Sequence, residues 1–242
     1  MAFPFKALLC DWAYTLVDLG VEDDRSALAK VFGLLEKKGR SPPNFEKMYR
    51  EFHEDFFNKI EVSRKTYREV CFGDILESHL SGFKIDLDGK INLNEIIEVY
   101  FKEIYSSRKV YPEVIGALKK LKKAGVRMGI VSNTTNPAFM KDYERQIMGM
   151  DPYFEFSVYS SETIWRKPHP NIFHEAIGKM GLEPKEILFV GDHLKMDVEG
   201  AAAVGMRTAW LNRNNAPLQE GIAPDYILKS FSDLLEISSL PS

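Results

Sequence analysis

The stretch Ala7-Leu8-Leu9-Cys10-Asp11-Trp12-Ala13-Tyr14-Thr15-Leu16-Val17-Asp18 decides the fold. A short apolar run ends in an isolated carboxylate, Asp11. A parallel α/β sheet presents a reactive group in this way, because its strands are buried on both faces and side chains emerge at the C-terminal edge. Two more edges of the same kind follow. One is Met128-Gly129-Ile130-Val131-Ser132-Asn133; the other is Ile187-Leu188-Phe189-Val190-Gly191-Asp192, continued by His193 to Asp197. Lys167 stands apart from them in Arg166-Lys167-Pro168. Together these supply a carboxylate nucleophile, a hydroxyl donor, a cation and a pair of metal-binding carboxylates.

Working outward, strand patterns at 5–11, 126–132, 156–160, 187–191 and 207–211 alternate with helical ones, and Tyr226-Ile227-Leu228 reads as a last edge strand. Pro112 opens a helix that ends at Gly125; Asn136-Pro137 and Pro170 open two more, and another is expected from 194 to 204. Strands alternating with helices predict an α/β fold, a Rossmann-like parallel sheet covered on both faces. Between the first and second strands the pattern changes. Residues 17–108 read as all helical, with helices near 22–38, 44–59, 64–80 and 94–105. Leu28, Val31, Phe32 and Leu35 share one face of the first, and Arg40-Ser41-Pro42-Pro43-Asn44 separates it from the second. The expected division is a core of residues 1–16 and 109–242 with an inserted helical unit, 17–108, hanging over Asp11.

Composition narrows the function class. The chain has 242 residues, 45% of them hydrophobic, a net charge of −3 and no long run of like charge. That argues against a dedicated nucleic-acid or membrane surface. No apolar run approaches the ~20 residues that span a bilayer. The two cysteines, Cys10 in a strand and Cys71 in a helical segment, are not expected to pair, which fits a reducing, cytoplasmic setting. Asp86-Leu87-Asp88-Gly89-Lys90-Ile91-Asn92-Leu93-Asn94-Glu95 imitates part of a calcium-binding loop, but the first ligand position falls on Lys84. A positive charge there favours a helix-connecting turn over Ca²⁺ binding.

The four motifs, in this order over residues 5–213, resemble the haloacid dehalogenase-like (HAD) hydrolase superfamily, in its subfamily with a helical cap. The resemblance implies a covalent mechanism in which Asp11 is the nucleophile and Lys167, in a K-P-x-P-x-x-F pattern, stabilises charge. It implies that Ser132 contacts the substrate's phosphoryl group, with Asn133 a second substrate contact and Thr15 a substrate-binding residue that assists near Asp11. It implies a Mg²⁺ ion on Asp11, Asp192, Asp197 and the carbonyl of Ala13. His193 is less suited to that ion, since hard Mg²⁺ prefers oxygen. Asp18 is expected to brace the linker to the cap, and Arg166 to be solvated.

The departure is at position 13. The family's phosphatases carry a second aspartate there, the general acid, and this chain has alanine; Tyr14 replaces the family's usual glycine. Loss of an acid penalises reactions whose leaving group needs a proton. Aryl and acyl phosphates, halides and an enamine escape the penalty. The expected function is therefore a Mg²⁺-dependent phosphohydrolase of small phosphorylated molecules with good leaving groups. Three alternatives stay open. One is a phosphonoacetaldehyde hydrolase, whose opening motif shares Asp-Trp-Ala but which needs a cap lysine, here Lys47 or Lys59. The second is a 2-haloacid dehalogenase, against which the Asp192/Asp197 pair speaks. The third is a weakly active binding protein.

Overall fold

The computed structural model describes residues 3–40, 42, 44–87 and 91–237. The opening apolar run forms β1 (Ala7–Cys10), followed by a short strand, β2 (Val17–Asp18), and four helices: α1 (Asp24–Lys37), α2 (Phe45–Thr66), α3 (Phe72–Gly82) and α4 (Leu93–Ile104). After β3 (Lys109–Val110) the order is α5 (Val114–Lys123), β4 (Arg127–Ser132), α6 (Ala138–Ile147), β5 (Phe156–Tyr159), α7 (Ser160–Thr163) and α8 (Pro170–Met180). Then come β6 (Ile187–Gly191), a π-helical turn over Leu194–Glu199, α9 (Gly200–Ala203), β7 (Arg207–Leu211) and β8 (Tyr226–Leu228).

Six strands form one parallel sheet in the order β5-β4-β1-β6-β7-β8. All four residues of β1 are buried, so their backbone groups must find partners inside the protein. Both edges of β1 supply them, with Cys10 level with Ile130 of β4 and Val190 of β6. Alternate side chains go to opposite faces. Leu8, Cys10, Ile130 and Val190 pack with Val114 and Leu118 of α5; Leu9, Val131 and Phe189 pack with Ile172 and Phe173 of α8. The register brings the ends of β1, β4 and β6 to one edge. Chain order also reverses at β1, where ligand crevices of open α/β sheets form.

Helices α1–α4 surround their own apolar cluster, built from residues such as Leu28, Val31, Phe52, Phe72, Ile97 and Phe101. The entry and exit of this helical segment pair as an antiparallel ribbon, Val17 with Val110 and Asp18 with Lys109. Asp18 also braces the turn, its carboxylate accepting from Gly20 N–H. The segment is not isolated from the sheet, because Met140 of α6 is buried in its cluster. None of the described helices is long and apolar enough to cross a membrane.

Two helix boundaries differ from expectation. The second and third helices were expected to meet near residues 59–64, but α2 continues to Thr66 because Ile60-Glu61-Val62-Ser63 contains no breaker. The break comes at Tyr67, which takes a left-handed conformation with φ 55°. Residues 194–204 were expected to be one helix. They begin instead as a π-helical turn, in which Asp197 turns its carboxylate back to accept from His193 N–H at 3.0 Å. Within the calcium-loop imitation, Asp88, Gly89 and Lys90 lie outside the described residues. Asn92 there uses its side-chain oxygen to cap α4, accepting from Glu95 N–H.

Candidate active site

Asp11 follows β1 directly, and its N–H donates to the Val190 carbonyl at 2.9 Å, which fixes the residue at the sheet edge. Asp192 and Asp197 follow β6. Oxygens of these three carboxylates lie within 4.8 Å of one another. Lys167 reaches them from the segment before α8. Its Nζ donates to Asp11 Oδ1 and Asp197 Oδ1, both at 2.6 Å. Thr15 donates from its hydroxyl to Asp11 Oδ2 at 3.2 Å. Ser132, at the end of β4, is buried beside them and lines the adjoining cavity.

Asn133 has a structural task. Its amide nitrogen donates to the Lys167 carbonyl at 3.0 Å, and its oxygen accepts from Lys167 N–H at 2.7 Å. Both ends of the amide thus hold the lysine's backbone while the residue also lines the cavity. Gly191 is required by close approach: a Cβ there would lie 2.3 Å from the Asp197 carboxylate. Tyr14, where the family usually has glycine, adopts a left-handed φ of 57°, so the backbone keeps a glycine-like bend. Arg213 secures that loop, donating to the carbonyls of Tyr14 at 3.4 Å and Thr15 at 3.1 Å.

The electrostatics suit a cation. Burial alone pulls the Lys167 ammonium down, but Asp11 and Asp197 outweigh it and raise its pKa. One ammonium cannot answer three carboxylates. Asp192, which no side-chain donor reaches among the described residues, is pushed up to about 8 by burial and then by the charges of Asp11 and Asp197. A hard divalent ion with oxygen ligands fits such a cluster. His193 is occupied elsewhere, its Nδ1 accepting from Met196 N–H.

A cavity of about 440 Å³ opens on this cluster, lined among others by Asp11, Ala13, Arg64, Lys167 and Asp192. A neighbouring one of about 230 Å³ runs between the sheet edge and the helical segment, past Trp12, Ser132 and Lys141.

A family model described as haloacid dehalogenase-like hydrolase matches residues 5–205. The chain belongs to the haloacid dehalogenase-like hydrolases. Among its relatives, the glyceraldehyde 3-phosphate phosphatase of Methanopyrus kandleri is 32% identical over 146 residues, covering 58% of this chain and 61% of that protein. The phosphoglycolate phosphatase of Yersinia pestis is 32% identical over 146 residues, covering 59% and 61%. The chain thus spans less than two thirds of these relatives' lengths. A HAD phosphatase from Thermococcus onnurineus has a TM-score of 0.63 at 26% identity, covering 96% of this chain and 97% of that one. The 2-haloacid dehalogenase of Pseudomonas syringae pv. Tomato DC3000 shares the fold, with a TM-score of 0.71 at 23% identity and coverage of 96% and 97%.

Several residues of this HAD-like hydrolase stand where no local pattern predicts them. Arg166 was expected in solvent, but its side chain is 13% exposed and it donates from one NH group to Glu69 at 3.1 Å and Ser63 at 2.9 Å. Glu69 in turn accepts from Ser160 at 2.6 Å, so this cluster straps the helical segment to the sheet. Lys47 and Lys59, the lysines considered for imine chemistry, pair with Glu51 and Asp55 and line neither cavity. The buried lysine beside Trp12 is Lys141, with its ammonium 4.8 Å from the ring centroid.

Lys141 belongs to a charge network centred on Glu144, which is fully buried and accepts from Lys141, Arg108 and Trp12 Nε1. Burial opposes ionisation of Glu144, but Lys141 and Arg108 hold its carboxyl below the usual glutamate range. Its folded-state pKa is therefore depressed. The stabilisation it contributes is complete above the unfolded pKa and is lost as pH falls through the folded one. Glu144→Ala leaves two cations without this partner and should cost about 3–5 kcal/mol of stability at neutral pH. Urea unfolding measures it, and a loss below about 1 kcal/mol would show that Glu22 alone satisfies Arg108 and that Lys141 finds water.

Proposed function

We propose that the chain is a Mg²⁺-dependent phosphohydrolase acting on small phosphorylated molecules through an aspartyl-phosphate at Asp11. The observation that carries this reading is the convergence of Asp11, Asp192 and Asp197 on one point, with a buried lysine bridging two of them. The phosphatase names of the relatives support it. So does the Asp192/Asp197 pair, which a metal-independent dehalogenase does not need.

Asp11, Asp192 and Asp197, with the Ala13 carbonyl, would hold the Mg²⁺, which when bound offsets charge on the phosphoryl oxygens. The chain's own groups do the rest. A carboxylate oxygen of Asp11 attacks phosphorus, forming an O–P bond as the bond to the leaving oxygen breaks. The leaving group departs with the electron pair. Water then attacks the phosphorus of the intermediate, releasing phosphate and restoring Asp11. Lys167 neutralises charge as it develops, and the Ser132 hydroxyl donates to a phosphoryl oxygen. Thr15 orients the nucleophile through its 3.2 Å hydrogen bond. The methyl group of Ala13 offers no proton, so turnover favours leaving groups that depart as stable anions. Residues 17–108 act as a cap that opens about the β2–β3 ribbon and closes over the substrate. The two free cysteines suit placement in the cytoplasm.

A panel of p-nitrophenyl phosphate, acetyl phosphate, a 2-haloacid and phosphonoacetaldehyde, each with Mg²⁺ and with EDTA, tests the reading. The aryl and acyl phosphates should turn over with Mg²⁺ and fall to background with EDTA. Halide release without metal, or phosphonate cleavage alone, would overturn it.

A further inference from the structure

Arg64 lies on the last turns of α2 and is one of four residues, with Ala13, Asn133 and Arg166, that line both cavities. These four mark where the space over the carboxylates opens into the space between sheet and helices. The other cations around them are answered. Lys167 is held by Asp11 and Asp197, Arg166 by Glu69, Arg108 by Glu22 and Glu144, and Lys141 by Glu144. The guanidinium of Arg64 makes no ion pair and no side-chain hydrogen bond among the described residues. It also stands near enough to Arg166 for the two like charges to interact: burial lowers the Arg166 pKa, Glu69 opposes this, and the charge of Arg64 lowers it further. Arg64 is exposed and lines both cavities together with Arg166, so its guanidinium, unpaired among the described residues, is free to meet an anion that enters from the space over the carboxylates.

The cavity over Asp11 continues past Ala13 into this junction, which leaves room there for the rest of a substrate whose phosphoryl group sits at Asp11. We propose that the part of the substrate beyond the scissile phosphoryl group carries a second anionic group, a carboxylate or another phosphoryl, and that Arg64 binds it. This rests on the phosphohydrolase reading and narrows it to one substrate class. It also bears on the missing acid where the second group is a phosphoryl bonded through the leaving oxygen, because phosphate departs as a stable anion without a proton.

Calorimetry at fixed free Mg²⁺ with three phosphonates, whose P–C bonds resist hydrolysis, reads the site without turnover. Phosphonoacetate carries the carboxylate, methylenediphosphonate the second phosphoryl group, and 2-hydroxyethylphosphonate is the neutral counterpart. At least one of the anionic probes should bind roughly 10- to 100-fold more tightly than the neutral one, as expected for a charge-assisted hydrogen bond. Which of the two it is identifies the group. Arg64→Gln should bring the ratio close to one, and Arg64→Lys should restore part of it. A ratio near one in the wild type, no binding of any probe, or a preference that survives in Arg64→Gln would overturn the proposal. Failure of the phosphohydrolase reading would appear separately, as absent turnover of p-nitrophenyl phosphate with the binding preference intact.

Discussion

Asp11→Asn should lower turnover of p-nitrophenyl phosphate at saturating Mg²⁺ by about 10⁴-fold or more. Asparagine matches aspartate in shape and keeps an oxygen that can accept from Thr15, so the loop should survive. What disappears is a nucleophile able to form the covalent intermediate. The substitution also removes one of three carboxylates packed within 4.8 Å of one another, while Lys167 keeps Asp197 as a partner. Relief of that repulsion predicts a melting temperature equal to or above that of the wild type without metal. The two effects point in opposite directions, and together they separate a catalytic residue from a structural one. Mass spectrometry excludes reversion to aspartate. Activity within tenfold of wild type in verified asparagine protein would place the nucleophile elsewhere.

The sheet was legible because its signal is local. Each strand of the parallel sheet is a short apolar run ended by a polar residue, and β6 and β7 fall where their runs begin and end. Asp11, Asp192 and Lys167 were legible because they close such runs or precede a proline. The helical segment was legible in type but less so in its joints. Apolar periodicity continues smoothly through Ile60 and Val62, and the turn at Tyr67 depends on a distant strand-like bridge between Arg68 and Trp165.

The charges around the cavity were the least legible. Lys141 and Glu144 lie three apart on α6, a spacing that on a surface helix reads as a solvated pair. They are buried only because Trp12 and Arg108, from distant parts of the chain, close over them. Arg166 is drawn from solvent by Glu69, 97 residues away in sequence. No pattern within one helix or loop encodes partners brought together by tertiary folding. The residues that shape the cavities beside the carboxylates are therefore visible only in the structure, while those that carry the proposed chemistry are visible at the strand ends.

Ala13→Asp should raise turnover of alkyl phosphates by up to ~10²–10⁴-fold, the usual worth of a general acid, and change aryl or acyl phosphate turnover much less. Ala13 lines both cavities, so a carboxylate there would stand where the leaving group departs. Tyr14 already holds the left-handed bend that glycine adopts freely, at φ 57°. Tyr14→Gly should therefore relax the loop without reshaping it, and the Ala13→Asp/Tyr14→Gly double variant gives the new acid the most freedom to reach the leaving oxygen. Plotted against leaving-group pKa, the rate should fall steeply in the wild type and more gently in the variants. The anion-binding role of Arg64 sharpens this expectation. If the leaving group is a phosphate held by Arg64, the gain from a new acid should be largest for alkyl leaving groups and smallest for that phosphate. A wild-type enzyme that cleaves alkyl and aryl phosphates with equal chemical-step rates would mean that another group already supplies the proton, and the alanine would lose its significance.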